Sequence, residues 1–218
     1  MAALEGGNAP RVVVLDEVDS TNEEAFRRHA AGEAGPLWLR ARRQTAGRGR
    51  SGRAWVSPEG NLHVSLLLTE PLAPAERPRV GFVAGLAIVE ALEIVAEAAG
   101  PFRLKWPNDV LADGAKVAGL LLEARGPDAL VVGWGVNLAH APRGTETPAA
   151  SLADRGAPTT ADLVQHELAI AFAGWWRVFD GGRWMMTADN AALHTIHHLG
   201  AGRFVPAGPM LQAARLEP

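Results

Sequence analysis

Apolar and polar positions divide the chain into short extended runs and three helical stretches. Arg11 to Leu15, R-V-V-V-L, is a β-branched run and predicts a buried strand. Ser20 or Thr21 suits the N-cap of a helix running to about Ala31. Glu23 and Glu24 in its first turn complement the helix dipole, and Gly32 stops it. Pro36 to Arg42 alternates apolar and basic residues and predicts a second strand; Asn61 to Thr69 predicts a third. Arg79 to Ala99 is the longest helical stretch, apolar over most of its surface. Glu90, Glu93 and Glu97 recur at helical spacing and mark its wet side, and Gly100-Pro101 ends it. Phe102 to Lys105, Val110 to Ala112, Lys116 to Glu123 and Ala129 to Leu138 follow as strands, with Asp113-Gly114 as a two-residue hairpin. Gly133 and Gly135 interrupt the last of these, and glycines inside a strand point to something packed close to the backbone. His140 to Pro158 is a loop rich in Pro, Ala and Gly, and Thr160 to about Val178 is an amphipathic helix. Residues 179–218 show no run of alternating strands, and M-M-T-A-D-N-A-A-L-H-T-I-H-H-L-G within them reads as a short helix. The pattern predicts an α+β fold: a mixed, largely antiparallel sheet with helices on one side. It divides into a leader at residues 1–10, a main domain at 11–178 and a C-terminal appendage at 179–218.

Composition narrows the classes of function. The 218 residues carry a formal net charge of −3 and 48% hydrophobic residues, enough for a sizeable core without an overall basic field. With no cysteine, a disulfide framework and a thiolate metal site are excluded. No apolar run approaches the ~20 residues that span a bilayer, and the N-terminus has no basic region followed by an apolar run. The expectation is a cytoplasmic protein. His63, alternating with apolar neighbours in a strand, reads as structural, and His194, His197 and His198 as solvated or packed rather than metal-bound; no metal site is expected.

The chemistry concentrates in a few polar clusters set among apolar strands. Gln44 to Trp55, Q-T-A-G-R-G-R-S-G-R-A-W, holds Gly47, Gly49 and Gly52 interleaved with Arg48, Arg50 and Arg53. Glycines let backbone N–H groups approach a ligand, arginine forks match phosphate and carboxylate oxygens, and Trp55 offers a flat face for a ring. The stretch reads as a loop that closes over an anionic, ring-bearing small molecule. Ser20-Thr21-Asn22 lies at a strand-to-helix turn, where these side chains either cap the helix or line a pocket. K-W-P-N-D at 105–109, Lys116 with Gly119, and Asn137 in G-V-N complete the set. Asp109 and Lys116 flank one tight hairpin, so their side chains can face one cleft. There a lysine suits an anionic group and a carboxylate can take a proton from an amine.

D-S-T-N, the arginine loop, K-W-P-N-D-V, K-V-A-G-L-L-L-E and G-W-G-V-N, in this order, resemble the signatures of biotin protein ligases over roughly residues 11–178. The resemblance implies the class II synthetase-like catalytic fold of biotin and lipoate ligases. It implies attack of biotin on the α-phosphate of ATP, giving biotinyl-5′-adenylate, then transfer to a lysine of a biotin carboxyl carrier protein of a carboxylase. By position it implies that Ser20, Thr21 and Gln44 hydrogen-bond biotin, with backbone contacts from Gly47, Arg48 and Gly119. Arg50, Arg53 and Lys116 would hold phosphate groups, with Lys116 also at the biotin site. Trp55 would cover adenine, and Asn108 and Asn137 would place ATP and the Mg²⁺ it carries. Asp109 would help deprotonate the incoming lysine, so Lys116, Asp109 and Arg50 form the catalytic set. Family members often dimerise through the sheet, so the resemblance allows a homodimer, while the sequence itself selects no oligomeric state.

Two departures from the family pattern stand out. About ten residues precede the first strand, where some members carry a helix-turn-helix domain, so a monofunctional type without operator binding is expected. Residues 179–218 do not align with the small β-barrel that ends most members; if that barrel assists transfer, transfer is expected to be slower than adenylate formation. The alternatives are a lipoate or octanoate ligase of the same fold and a non-catalytic biotin- or nucleotide-binding protein. A nucleic-acid module on Arg40 to Arg53 is disfavoured by the negative net charge and the lack of interleaved aromatics.

Overall fold

The computed structural model describes residues 11–180 and, as backbone, the short segments 185–186, 193–199, 203–207 and 213–214. The strands are β1 (Val12–Val18), β2 (Leu37–Gln44), β3 (Leu62–Leu68), β4 (Phe102–Lys105), β5 (Asp109–Ala112), β6 (Ala115–Arg125) and β7 (Ala129–Val136). The helices are α1 (Thr21–Ala30), α2 (Arg77–Val95) and α3 (Ala161–Asp180). Seven strands form a mixed sheet in the order β1-β2-β3-β7-β6-β5-β4. Only β1 and β2 run parallel, as the intervening helix α1 requires; the other neighbours are antiparallel. Asp113 and Gly114 both take positive φ, 45° and 80°, as the tight β5–β6 hairpin demands.

Two strand segments in the appendage, β9 (Leu193–Leu199) and β10 (Arg203–Ala207), pair antiparallel, and β9 continues the sheet beyond β4. Two further pairs of residues, β8 (Met185–Met186) and β11 (Ala213–Ala214), also pair. The short helix expected over 185–200 is therefore corrected at 193–199. His194, His197 and His198 lie on an extended L-H-T-I-H-H-L run, which carries β-branched Thr195 and Ile196. The leader at 1–10 lies outside the described residues.

Alternation along the strands assigns the two faces. Leu62, Val64, Leu66 and Leu68 of β3 and Leu130, Val132, Trp134 and Val136 of β7 point to one side, where α2 and α3 close the larger core. Trp38 stacks on Trp134 at 5.4 Å, and Phe172 of α3 meets both edge-on. On the other side, Leu37, Leu39, Leu67 and Val131 pack against Ala25 and Phe26 of α1 in a smaller cluster. The expectation of helices on one side thus holds for the two long helices, whereas α1 covers part of the opposite face. Along α2, Glu90 and Glu93 are half-buried, because α3 packs beside them and Trp175 Nε1 donates to Glu90 at 2.9 Å. Burial, and then the neighbouring Glu90, push the Glu93 carboxyl up to about 7. No helix of the described residues is long and apolar enough to cross a membrane.

Candidate active site

The face that α1 covers only in part holds a cavity of about 520 Å³. Its floor is flat because the sheet has glycine where the alternation turns towards it. Gly119 of β6 pairs directly with Gly135 of β7, and Gly133 lies two residues before it. A Cβ at Gly133 would strike the Asn22 amide, and one at Gly135 would strike the Trp55 indole. The strand glycines thus admit two side chains lying against the sheet, as their sequence pattern suggested.

The inner end is a buried polar network. Ser20 occupies the N-cap position of α1 but makes no side-chain capping bond. The cap is supplied from β2 instead: Gln44 Oε1 accepts from Thr21 N at 2.8 Å and Thr21 Oγ1 at 3.1 Å. Gln44 Nε2 donates to Ser57 Oγ at 2.8 Å, and Ser57 donates to the Trp55 carbonyl at 3.1 Å. Ser65 Oγ, fully buried on β3, lies 2.7 Å from Thr21 Oγ1 and donates to Asn22 Oδ1 at 2.6 Å.

The arginine loop folds over this floor as a narrow ribbon. Trp55 N donates to the Gly47 carbonyl at 2.9 Å, Gly49 N donates to the Arg53 carbonyl at 2.7 Å, and Arg48 bridges Ala54. Its tip, Arg50–Gly52, turns with Ser51 and Gly52 at positive φ, 57° and 72°. Arg50 Nη1 reaches across to Asn108 Oδ1 at 3.3 Å. Trp55 lies over Gly119 and Gly135 with its indole Nε1 buried and without a hydrogen-bond partner.

Beneath Trp55 sits the charged pair. Lys116 Nζ is 2.6 Å from Asp109 Oδ1 and 5.3 Å from the Trp55 ring centroid, with both charged side chains largely shielded. The two do not oppose each other in the β5–β6 ladder, where Asp109 faces Gly119 and Leu111 faces Lys116. A register irregularity at Val110/Leu111 brings them together. Asn108 is fixed by Nδ2 donating to the Leu120 carbonyl at 2.9 Å, while Leu120 N returns a bond at 2.8 Å. Asn137 Nδ2 reaches the Lys116 and Ala150 carbonyls at 3.4 and 3.3 Å, so it locks the backbone under Lys116. Lys116 N and O bond Pro148 and Ala150, which makes residues 145–149 the outer wall of the cavity.

Of the residues singled out from sequence, Ser20, Thr21, Gln44, Arg48, Arg50, Arg53, Trp55, Asn108, Asp109, Lys116, Gly119 and Asn137 all line the cavity. Gly47 does not; it packs behind the lining, where a Cβ would lie 2.5 Å from Ser57 Oγ. Arg53 stands at the rim, highly exposed, with Glu146 3.9 Å away. Ser57, Ser65 and Glu123 also belong to the surrounding network. Nothing in the local sequence distinguishes Ser57 and Ser65 from ordinary loop and strand residues, whereas Glu123 closes the K-V-A-G-L-L-L-E stretch without a role assigned to it there. His63 is structural, as expected. It is buried, its Nε2 lies 3.1 Å from the Pro58 carbonyl, and burial lowers its pKa.

Arg48, Arg50, Arg53 and Lys116 thus gather at one cavity over a buried polar floor on the open face of a mixed sheet, and comparison with known proteins gives this arrangement its family. The model of the biotin/lipoate A/B protein ligase family matches residues 14–137. The chain is 41% identical over 177 residues to the biotin–[acetyl-CoA-carboxylase] ligase of Paracoccus denitrificans, covering 77% of this chain and 73% of that protein. It is 38% identical over 144 residues to the bifunctional ligase/repressor BirA of Escherichia coli K12, spanning 64% of this chain but only 43% of that longer protein. The biotin protein ligase of Aquifex aeolicus, solved with biotin and ATP, matches with a TM-score of 0.68 at 27% identity, over 90% of this chain and 95% of that one. The Leishmania major enzyme, solved with biotinyl-5-AMP, matches with a TM-score of 0.66 at 27% identity, over 92% and 100%. The chain belongs to the biotin/lipoate A/B protein ligase family.

Proposed function

We propose that this protein is a biotin–protein ligase that makes biotinyl-5′-adenylate from biotin and ATP and passes the biotinyl group to a lysine of a biotin carboxyl carrier protein. The observation that carries the reading is the Lys116–Asp109 pair, 2.6 Å apart beneath Trp55, facing Arg50 and Asn108 across one cavity. Relatives solved with biotin and ATP, or with biotinyl-5-AMP, support biotin and ATP as its substrates.

In the first step a biotin carboxylate oxygen attacks the α-phosphorus, and the bond to the pyrophosphate oxygen breaks. Negative charge grows on the α-phosphoryl oxygens and on the leaving pyrophosphate. Lys116 and Arg50, already oriented by Asp109 and Asn108, are placed to meet it, with Arg53 at the mouth for the outer phosphates. ATP arrives with Mg²⁺, and Asn108 and Asn137 hold the backbone against which it seats. Ser20, Thr21 and Gln44 orient the biotin ring at the floor, with the backbone of Gly47, Arg48 and Gly119 beside it. Trp55 closes over the adenylate and keeps water from the mixed anhydride. In the second step the acceptor amine attacks the acyl carbon, AMP leaves, and the amine proton passes to Asp109.

Residues 11–178 form the catalytic domain in this reading, residues 179–218 a divergent or truncated C-terminal appendage, and the protein acts in the cytoplasm as a homodimer. The test is to supply ATP, Mg²⁺ and either biotin or lipoate, with a biotin carboxyl carrier domain as acceptor, and to follow AMP and acceptor mass. A biotin-sized mass gain that is lost in Lys116→Ala is expected. Acylation by lipoate with none by biotin would overturn the substrate assignment.

A further inference from the structure

Two carboxylates to which the sequence motifs assign no role hold the arginine loop. Arg48 Nη2 lies 2.6 Å from Glu23 Oε1 and donates to Glu123 Oε2 at 2.9 Å and Oε1 at 3.1 Å. Glu23 is shared with Arg125, which donates to it at 2.5 Å. Glu123 connects to the cavity floor through Asn22: its Oε2 also accepts from Asn22 Nδ2 at 2.8 Å. Asn22 is buried, its Oδ1 accepts a hydrogen bond from Ser65 Oγ, and Ser65 Oγ also lies against Thr21 Oγ1. At the other end of the loop, the Trp55 carbonyl returns to the same floor through Ser57 and Gln44. The hydrogen bonds therefore close a ring from Arg48 through Glu123, Asn22, Ser65, Thr21, Gln44 and Ser57 to Trp55. The link at Arg48 falls between Gly47 and Gly49, where the backbone is least restrained by its own side chains.

We propose that Glu123 is a positioning residue of the arginine loop, coupling Asn22 at the cavity floor to Arg48 and so fixing where Arg50 and Trp55 stand. What fills the floor is taken from the ligase reading, on which this inference rests. A small acid seated against Thr21 and Asn22 orders Asn22, Asn22 orders Glu123, and the charge-assisted bond from Glu123 to Arg48 holds the loop closed. Glu123 does not touch the reacting atoms, so its loss weakens capture of biotin more than the chemistry that follows.

The test uses the full chain and Glu123→Gln, which keeps the shape and removes the charge facing Arg48. The KM for biotin in adenylate formation is expected to rise about fivefold to tenfold, the size of one partly exposed charge-assisted bond, with kcat changed less than twofold. Native-state trypsin cleavage after Arg50 and Arg53 is expected to accelerate by a similar factor, and Glu123→Asp, which keeps the charge, to recover part of both. In the Arg48→Ala background, Glu123→Gln is expected to add little. A biotin KM and a cleavage rate within twofold of the parent, or effects of the two substitutions that multiply, would overturn the proposal. If the parent protein forms no biotinyl-adenylate, the ligase reading fails, and loop cleavage with its double-substitution comparison still decides the role of Glu123. If Glu123→Gln does not fold, Glu123→Asp is compared in the same way, and unchanged cleavage in that variant together with additive behaviour towards Arg48→Ala overturns it.

Discussion

Gly135→Ala isolates how the sheet admits the loop. A Cβ at Gly135 would sit 2.6 Å from Trp55 Cζ2, and nearer still to Cε2 and Nε1, where ordinary contact begins at 3.4 Å. The indole must therefore retreat from the sheet by roughly 1 Å or swing out altogether. Its backbone cannot simply follow, since Trp55 N is tied to Gly47 and its carbonyl to Ser57. Overpacking of this kind costs about 1–3 kcal/mol, borne by a loop rather than by the core. The same displacement moves Arg50 and uncovers Lys116. kcat/KM for biotinyl-adenylate formation is expected to fall about 10- to 100-fold, with a urea midpoint close to that of the parent protein. Pyrophosphate release under matched ATP and biotin, with urea unfolding alongside, provides the assay. The decisive control is Trp55→Ala: without the indole, Gly135→Ala has nothing to strike and should add less than about threefold. An activity within twofold of the parent for Gly135→Ala alone, or a full further loss in the Trp55→Ala background, would refute the account of Gly135 as the bed for Trp55.

Other positions test the fold and the charge balance. Asn61 Oδ1 accepts from the backbone N–H groups of Leu138, Ala139 and His140, each at 3.0 Å, and its Nδ2 donates to the His140 carbonyl at 2.9 Å. Asn61→Ala leaves these groups without a partner and should cost about 2–4 kcal/mol in urea unfolding; a loss under ~1 kcal/mol would contradict it. Glu93 carries a folded-state pKa near 7 against 4.5 when free, so the folded protein binds more protons between those values and loses stability as pH rises through them. The full shift corresponds to at most ~3 kcal/mol, and a half-buried group realises about half of that. Glu93→Gln should therefore raise the thermal midpoint at pH 8 and change it little at pH 4.5; equal gains at both would sink the assignment. Single-turnover rates with a carrier domain are expected to show biotinyl transfer slower than adenylate formation, and faster transfer would refute the inferred deficit of the appendage.

Most of the element order was legible because period-two and period-3.6 patterns are set by which side of an element meets the core. The arginine loop and the Asp109–Lys116 pair were legible because their residue types are costly to bring together without a ligand to meet. Facing is harder to read. A strand's alternation says that Leu67 and Leu66 point apart, but not that α1 rather than α2 covers Leu67. The N-cap shows the same limit: Ser20 has the right chemistry, yet the cap comes from Gln44, 24 positions along the chain on a different strand. Ser65 reaches the site only through tertiary contacts and looks locally like an ordinary residue of a buried strand, and Glu123, although it closes a quoted motif, shows its bond to Arg48 only in the fold. In the appendage, the expected short helix gives way at 193–199 to extended backbone, because pairing with β4 and β10 comes from parts of the chain that no local pattern reveals.

The unequal cover on the sheet's two faces has a consequence for redesign. Within β3 and β7, one set of alternate positions is sealed by α2 and α3, while the other carries Ser65, Gly133 and Gly135 beneath the cavity. The second set is itself divided: Leu67 and Val131 are sealed under α1 in the smaller cluster, and Ser65, Gly133 and Gly135 underlie the cavity. Altering the positions beneath the cavity can reshape its floor while leaving both clusters intact. A library confined to those positions should yield folded proteins with altered acid preference far more often than one spread over both sets.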